Sequence, residues 1–256
     1  MAITLNFVRD TATGQIIFDV NGYPTFATNT GALTYADMIT RIQTEVLGKI
    51  DTTNIKNAIQ DAIAEFERES FYFNDLRYYS VTGSTSTLTT VSGKEFYSQD
   101  DLPILTNMPH ISKVLVLAFN NRYSLVSRTR QWIDDQSLSA SWNGSPTDWC
   151  WQSNSLRLYP IPNGSYPLIL DATIRFAPLS ADADYNCWTN EAERLIRMEA
   201  KRILWKEYLL NDERAASLEQ EIRGMPGKMG ELGRLKAESL RRAGGPGRLR
   251  ASRGYM

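Results

Sequence analysis

Apolar positions repeat at three- and four-residue steps in two early stretches. From Thr34, the residues Tyr35, Met38, Ile39, Ile42 and Val46 form one stripe, and Asp37 stands where a capping box places its acid. From about Thr53 to Ser70 a second stripe comprises Ile55, Ala58, Ile59, Ala62, Ile63 and Phe66, while Lys56, Asp61, Glu65 and Arg68 take the wet side. These patterns predict a helix pair over 34–70. Before it, strand-like runs at 3–8 and 15–20 flank a turn at Asp10 to Gly14, which predicts a β-hairpin within an extension over 1–33.

From 71 to 177 the period changes. Short β-rich runs at 77–82, 87–91, 113–119, 156–159 and 168–176 alternate with loops rich in Ser, Thr, Gly and Pro. The expectation is an antiparallel sandwich or barrel-like sheet inserted between helices. Over 178–223 the helical period returns. Asn190 is expected to open a long helix with Glu193 as its capping-box acid, and Leu195, Ile196, Ala200, Ile203 and Leu204 form its stripe. A break at Asn211 and Asp212 precedes a shorter helix bearing Ala215, Leu218 and Ile222. After Gly224 the glycines, prolines and arginines predict a flexible basic arm over 224–256. The fold class expected is mixed α+β: a helical bundle with a β-rich antiparallel insertion and an extended C-terminal arm.

Composition changes this picture through the placement of charge. The chain of 256 residues has a formal net charge of -1. Of its 28 basic and 29 acidic residues, nine and two lie from Arg223 onward, so the body keeps 19 against 27. An acidic body with a basic tail points to an arm that reaches for something negative. Two cysteines, Cys150 and Cys187, show no CxxC spacing, and a reduced state is the simpler reading although one disulfide is possible. No signal peptide is expected, and no run approaches the roughly 18 apolar residues of a membrane span.

Catalytic and metal chemistry finds little support. His110 is the single histidine, without a G-x-S-x-G elbow, and reads as a loop or sheet-edge residue. Asp182, Asp184, Asn186 and Glu193 follow the ligand order of a calcium loop, but Cys187 occupies the position that needs glycine, so a loop that starts a helix is favoured. Asp61, Glu65 and Glu69 share a helix face and read as solvated or partner-facing acids before a paired-carboxylate hydrolase site. The Gly224 to Lys228 segment has only two residues between its glycines, and Met229 follows the lysine, which rejects a phosphate loop. No catalytic residue, metal or cofactor is therefore expected. The tryptophans between 132 and 188 read as core and subunit interface.

Three segments carry a resemblance. They are the helix from Ile55 that ends in Phe71, Tyr72, Phe73 and Asn74; the strand from Leu156 closed by Pro160 and Pro162; and the stretch from Leu179 to Trp188 with the helix after Glu191. Their order and spacing over roughly 34–223 resemble the head-to-tail connectors of tailed phages, the portal adaptors or tail accessory factors. The resemblance implies a non-enzymatic virion protein of the neck, assembled in the host cytoplasm. It implies a ring, a dodecamer, docked on the portal and offering tail or nozzle proteins a platform. DNA would pass through without sequence-specific binding, and no membrane is involved. The basic tail then becomes the portal-binding arm, with Arg234, Lys236, Arg241, Arg242, Arg248, Arg250, Arg253 and Tyr255 as its contact residues. The competing readings are a DNA-binding virion protein acting through counterion release at that tail and a peptidoglycan hydrolase of the tail.

Overall fold

The computed structural model describes residues 7–9, 16–17, 23–27, 31–46, 50–79, 89–101, 103–118, 121–139 and 142–244. In chain order, helices α1 (Tyr35–Glu45) and α2 (Thr52–Phe66) come first. Strands β1 (Asp75–Tyr79), β2 (Phe96–Tyr97), β3 (His110–Ala118), β4 (Asn121–Ser124) and β5 (Val126–Ser127) lead to helix α3 (Arg130–Ser139). Then follow β6 (Asn143–Gly144), β7 (Asp148–Gln152), β8 (Ser155–Tyr159), β9 (Ile161–Pro162) and β10 (Leu168–Thr173). Helices α4 (Cys187–Asn190), α5 (Glu193–Glu207) and α6 (Asp212–Arg223) precede a ribbon, β11 (Gly224–Met225) with β12 (Lys228–Met229), and α7 (Glu231–Gly244) closes the described chain.

The elements form two compact units, one drawing on 31–74 and 178–244 and the other on 7–27 and 75–177. The mixed α+β class is as expected. In the helical unit, Thr34 and Asp37 make the predicted reciprocal cap of α1. The loop after Leu179 caps the same helix: Tyr35 N donates to Asp184 O at 2.8 Å and Ala36 N to Asp182 O at 3.0 Å. The predicted stripes are buried, with Met38, Ile42, Ile55, Ile59, Leu195, Ile196 and Leu204 packed away from water. Trp188 lies edge-on to Phe71 (5.9 Å) and Phe73 (5.2 Å), so two of the segments that carry the resemblance meet in one aromatic core.

Helix α2 starts at Thr52, close to the expected Thr53, and Asp51 caps it by accepting from Thr53 N. One helix start differs from expectation. Asn190 belongs to the short α4, which Asn186 caps together with Thr189; α5 begins at Glu193 without a side-chain cap. Glu193 instead pairs with Arg41 and, at 2.8 Å, with Arg197. Asn190 is spent on the backbone of Leu33, whose N–H it accepts at 2.8 Å.

The β unit has two four-stranded sheets, ordered β1-β10-β3-β4 and β2-β8-β7-β5. One apolar cluster, including Val114, Val116, Leu168, Leu170, Trp149, Leu156 and Leu158, is drawn from both. Among the described residues the pairing is antiparallel except between β5 and β7 and between β6 and β9, which are parallel. Those exceptions correct the purely antiparallel expectation. The strands expected near 77–82, 113–119, 156–159 and 168–176 appear as β1, β3, β8 and β10, and from 87–91 a bridge pairs Thr89 with Pro167. The expected early hairpin is represented by bridges from Arg9 to Ile16 and Phe7 to Phe26, and Phe7 and Ile16 pack on the β core; the rest of its runs lies outside the described residues.

Helix α3 was not expected, because 130–139 has no strong apolar stripe. A charge cluster anchors it. Arg157 on β8, only 6% exposed, pairs with Glu95 at 2.5 Å and with Asp134 of α3, and its guanidinium lies 5.1 Å over the Phe96 ring. Asp134 and Glu95 overcome the burial that opposes the charge and raise the Arg157 pKa. A buried cation with two acids and an aromatic face is a satisfied one.

Candidate docking segment

The candidate site residues begin in α7, where the structure departs from the flexible arm expected after Gly224. The Met225 to Lys228 turn has Pro226 and Gly227 (φ 81°) at its centre, the sequence and geometry of a type II turn. Two further glycines let the ribbon close. A Cβ on Gly224 would stand 2.7 Å from Lys228 O, and one on Gly230 would stand 2.4 Å from Ile222 O. Composition signalled a flexible arm here; the backbone uses the same residues to turn α7 back onto the helical unit.

Glu231, Leu235, Ser239 and Arg242 recur at steps of four, four and three, and this stripe seats α7. Leu235 is buried. Ser239 Oγ accepts from Tyr72 N at 3.0 Å and donates to Leu235 O at 2.9 Å. The Tyr72 hydroxyl donates to Glu191, and the Arg242 guanidinium lies 3.9 Å over the Tyr72 ring. Burial, then the Glu191 carboxylate, push the Tyr72 phenol far above its ordinary value, so it remains a donor. Ser239 was missed in the sequence reading, and Tyr72 and Glu191 entered it only as landmarks of the resemblance. The spacing of 231, 235, 239 and 242 was the available signal, hidden by the glycine content around it.

The predicted contact residues therefore divide. Arg234 is bound to Glu231, Lys236 to Glu69 at 2.8 Å, and Arg242 to Glu238 at 2.7 Å. Their charge is largely spent within the helical unit, while Arg241 is exposed. Arg248, Arg250, Arg253 and Tyr255 lie outside the described residues. Of the three helix acids raised as hydrolase candidates, Glu65 pairs with Arg223 at 3.3 Å and Glu69 with Lys236 at 2.8 Å, and Asp61 is exposed.

The calcium-like loop is committed elsewhere too. Asp184 accepts from Ser180 N and Ala181 N, each at 2.7 Å, and these bonds hold its carboxyl below its ordinary value. Asp182 pairs with Lys56 at 3.0 Å. Among the described residues no cluster of three or more His, Cys, Asp or Glu could hold a metal. His110 is exposed at the start of β3, opposite Thr173. Both cysteines are buried free thiols, each raised in pKa by burial first. Among the described residues no helix is long and apolar enough to cross a membrane.

A cavity of about 510 Å³ opens where α6, the β11–β12 ribbon and α7 meet, lined in part by Met225, Met229, Arg194 and Arg234. A family model described as SU10 adaptor protein matches residues 33–250. That match covers the helix pair, the strands and α7. No curated protein matches the chain.

Proposed function

The chain belongs to the SU10 adaptor protein family, a family of phage structural adaptors and not an enzyme class, and on that premise we propose that it forms a ring on the portal vertex. In this reading the ring extends the DNA channel from head to tail and gives tail proteins a platform. The portal above and the tail or nozzle proteins below are its partners, and identical copies are its neighbours. The dodecamer, docked on a dodecameric portal, is what the resemblance implies. The neck of the virion is its place, and its assembly belongs in the host cytoplasm.

The observation that carries the reading is the extent of the family match, 218 residues from 33 to 250, which runs through both units and into the basic tail. Charge supports it. The acidic body suits a bore through which DNA must slide, since like charge prevents gripping. The mechanism is mechanical: closed head-to-tail contact between copies makes the ring, and the tail beyond α7 ties it to the portal.

In this reading Arg241 and the segment from 245 onward, with Arg248, Arg250, Arg253 and Tyr255, supply the portal-binding arm, whereas Lys236 and Arg242 tie α7 to Glu69 and Tyr72 and Arg234 pairs within α7. Truncation after Gly244 is expected to leave the melting temperature unchanged and to abolish cosedimentation with portal rings. Truncated protein that decorates portals at full occupancy would place the joint in the body. The concentration of positive charge from Arg223 onward also favours a second reading, a virion protein that grips DNA through this tail. It requires the isolated subunit to bind duplex DNA with an affinity that falls steeply with salt; the adaptor reading expects only weak binding.

A further inference from the structure

The corner between α5 and α6 combines strain with exposure. Leu210 has φ 48°, in the left-handed region that favours glycine or asparagine, and its side chain is 80% exposed. Tyr208 beside it is 43% exposed. The corner itself is firmly built. Asn211 N donates to Trp205 O at 2.8 Å, Leu209 N donates to Leu204 O at 3.1 Å, and the Arg214 guanidinium lies 4.5 Å over the Trp205 ring. Asn211 caps α6 by accepting from Arg214 N at 3.0 Å. At 80% exposure the Leu210 side chain is left mostly in water. A strained backbone that holds a large apolar side chain in water fits a binding knob.

A matching socket lies at the other end of α6. The cavity of about 510 Å³ is lined there by Met225 and Met229, which are 46% and 68% exposed. It has room for a leucine and part of a tyrosine, and methionine adapts its shape to what enters. Gly224 and Gly230 fix the wall behind, because a Cβ on either would collide with backbone. Charge complements the fit. Around the knob the exposed acids Glu207, Asp212 and Glu213 exceed Lys206 and Arg214 by one, and at the socket, where Glu231 holds Arg194 and Arg234, the cations with Lys228 exceed Glu221 and Glu231 by one.

The 12 residues of α6 hold knob and socket roughly 18 Å apart at 1.5 Å per residue, so the two cannot meet within one chain. A knob and a socket at different places on one surface make a heterologous contact, the kind that generates rings. We infer that the Tyr208–Leu210 corner of one subunit seats in the Met225–Met229 cavity of the next copy, forming the lateral joint of the ring. This inference rests on the adaptor reading above and names its subunit contact.

The test uses two single-cysteine variants of the full chain, Leu210→Cys and Met229→Cys, mixed and assembled on portal rings with a short bifunctional maleimide. The native Cys150 and Cys187 are buried and do not compete. The contact predicts cross-linked dimers between the two variants and none within either alone; a chain carrying both changes should give a ladder of higher oligomers. A second variant, Leu210→Gly, removes the knob and the strain together. Its melting temperature should hold or rise while ring assembly falls by on the order of tenfold. Cross-links from 210 to 210, or full assembly of Leu210→Gly, would overturn the contact. Rings on portals without 210–229 cross-links would overturn it too, yet leave the adaptor reading standing. If the unaltered chain forms no ring by electron microscopy, both fall.

Discussion

The helical unit and the β unit solve the burial of charge differently. The helical unit buries acids and leaves the cations wetter: Glu199 and Glu231, 1% and 6% exposed, are held by Arg202 and Arg234, while pairs such as Arg223–Glu65, with side chains 49% and 50% exposed, and Lys236–Glu69 stay at the periphery. Its stability comes from apolar stripes and the aromatic group around Trp188. The β unit places Arg157, 6% exposed, between its sheet and α3 and completes it with Glu95 and Asp134. An exposed pair can be lost cheaply because water replaces the partner; a buried cation leaves its acids stranded when it goes. The same residue types therefore carry different energetic weight in the two units, and burial decides which.

The largest effect expected of a single change is in the helical core. Trp188→Ala removes the ring that Phe71 and Phe73 contact edge-on and should cost about 3–5 kcal/mol, read from the urea midpoint. Leu158→Ala in the β core should approach it, at about 2–5 kcal/mol. If either cost fell below about 1 kcal/mol, that core would not be packed as described.

Next comes the contrast in charge. Arg157→Met should destabilise by about 1–3 kcal/mol, and adding Glu95→Gln should recover part of that loss, because one stranded acid is neutralised. Arg223→Ala in the helical unit should fall within about 0.5 kcal/mol of the unaltered chain. Equal costs for the two arginines would erase the distinction between the units.

The turn into α7 offers a finer test. Gly230→Ala should cost more than about 1 kcal/mol and expose α7 to proteolysis, since its Cβ would meet Ile222 O. Gly227→Ala has open space around its Cβ and a cost limited to the positive φ, about 1 kcal/mol. Reversal of that order would mean the ribbon does not close as described.

The smallest effect expected is in acid. Burial pushes the Glu45 carboxyl up, but Lys201 and Arg197 overcome this and hold it below its ordinary 4.5. A carboxyl depressed in the folded state contributes stability that is present above its unfolded pKa and lost as pH falls through the folded one. Stability should therefore decline on acidification below pH 4.5, and Glu45→Gln should flatten that limb slightly. An identical acid limb in the variant would assign the loss to other carboxylates, such as Asp37 and Asp184, which are also held below their ordinary values.

By itself the sequence determined the helical stripes, the reciprocal cap at Thr34 and Asp37, the mixed α+β class and the main strands, because each of these is a local periodicity or a contact within one turn. The aromatic run at 71–73 and Trp188 were legible as landmarks, although their meeting was not. Tertiary structure decided what depends on distant partners. Helix α3 has little stripe of its own; the fully buried Ile133, and Asp134 paired with Arg157 of β8, dock it. The acids of the calcium-like loop became caps and ion pairs because α1 and Lys56 lie beside them. The stretch from 224 to 244 looked like part of a flexible arm by composition, yet Gly224 and Gly230 are the small residues that a close backbone crossing demands. Composition reports how many side chains can be buried; it does not report where the backbone must pass close to itself, and that separates a flexible arm from a seated helix.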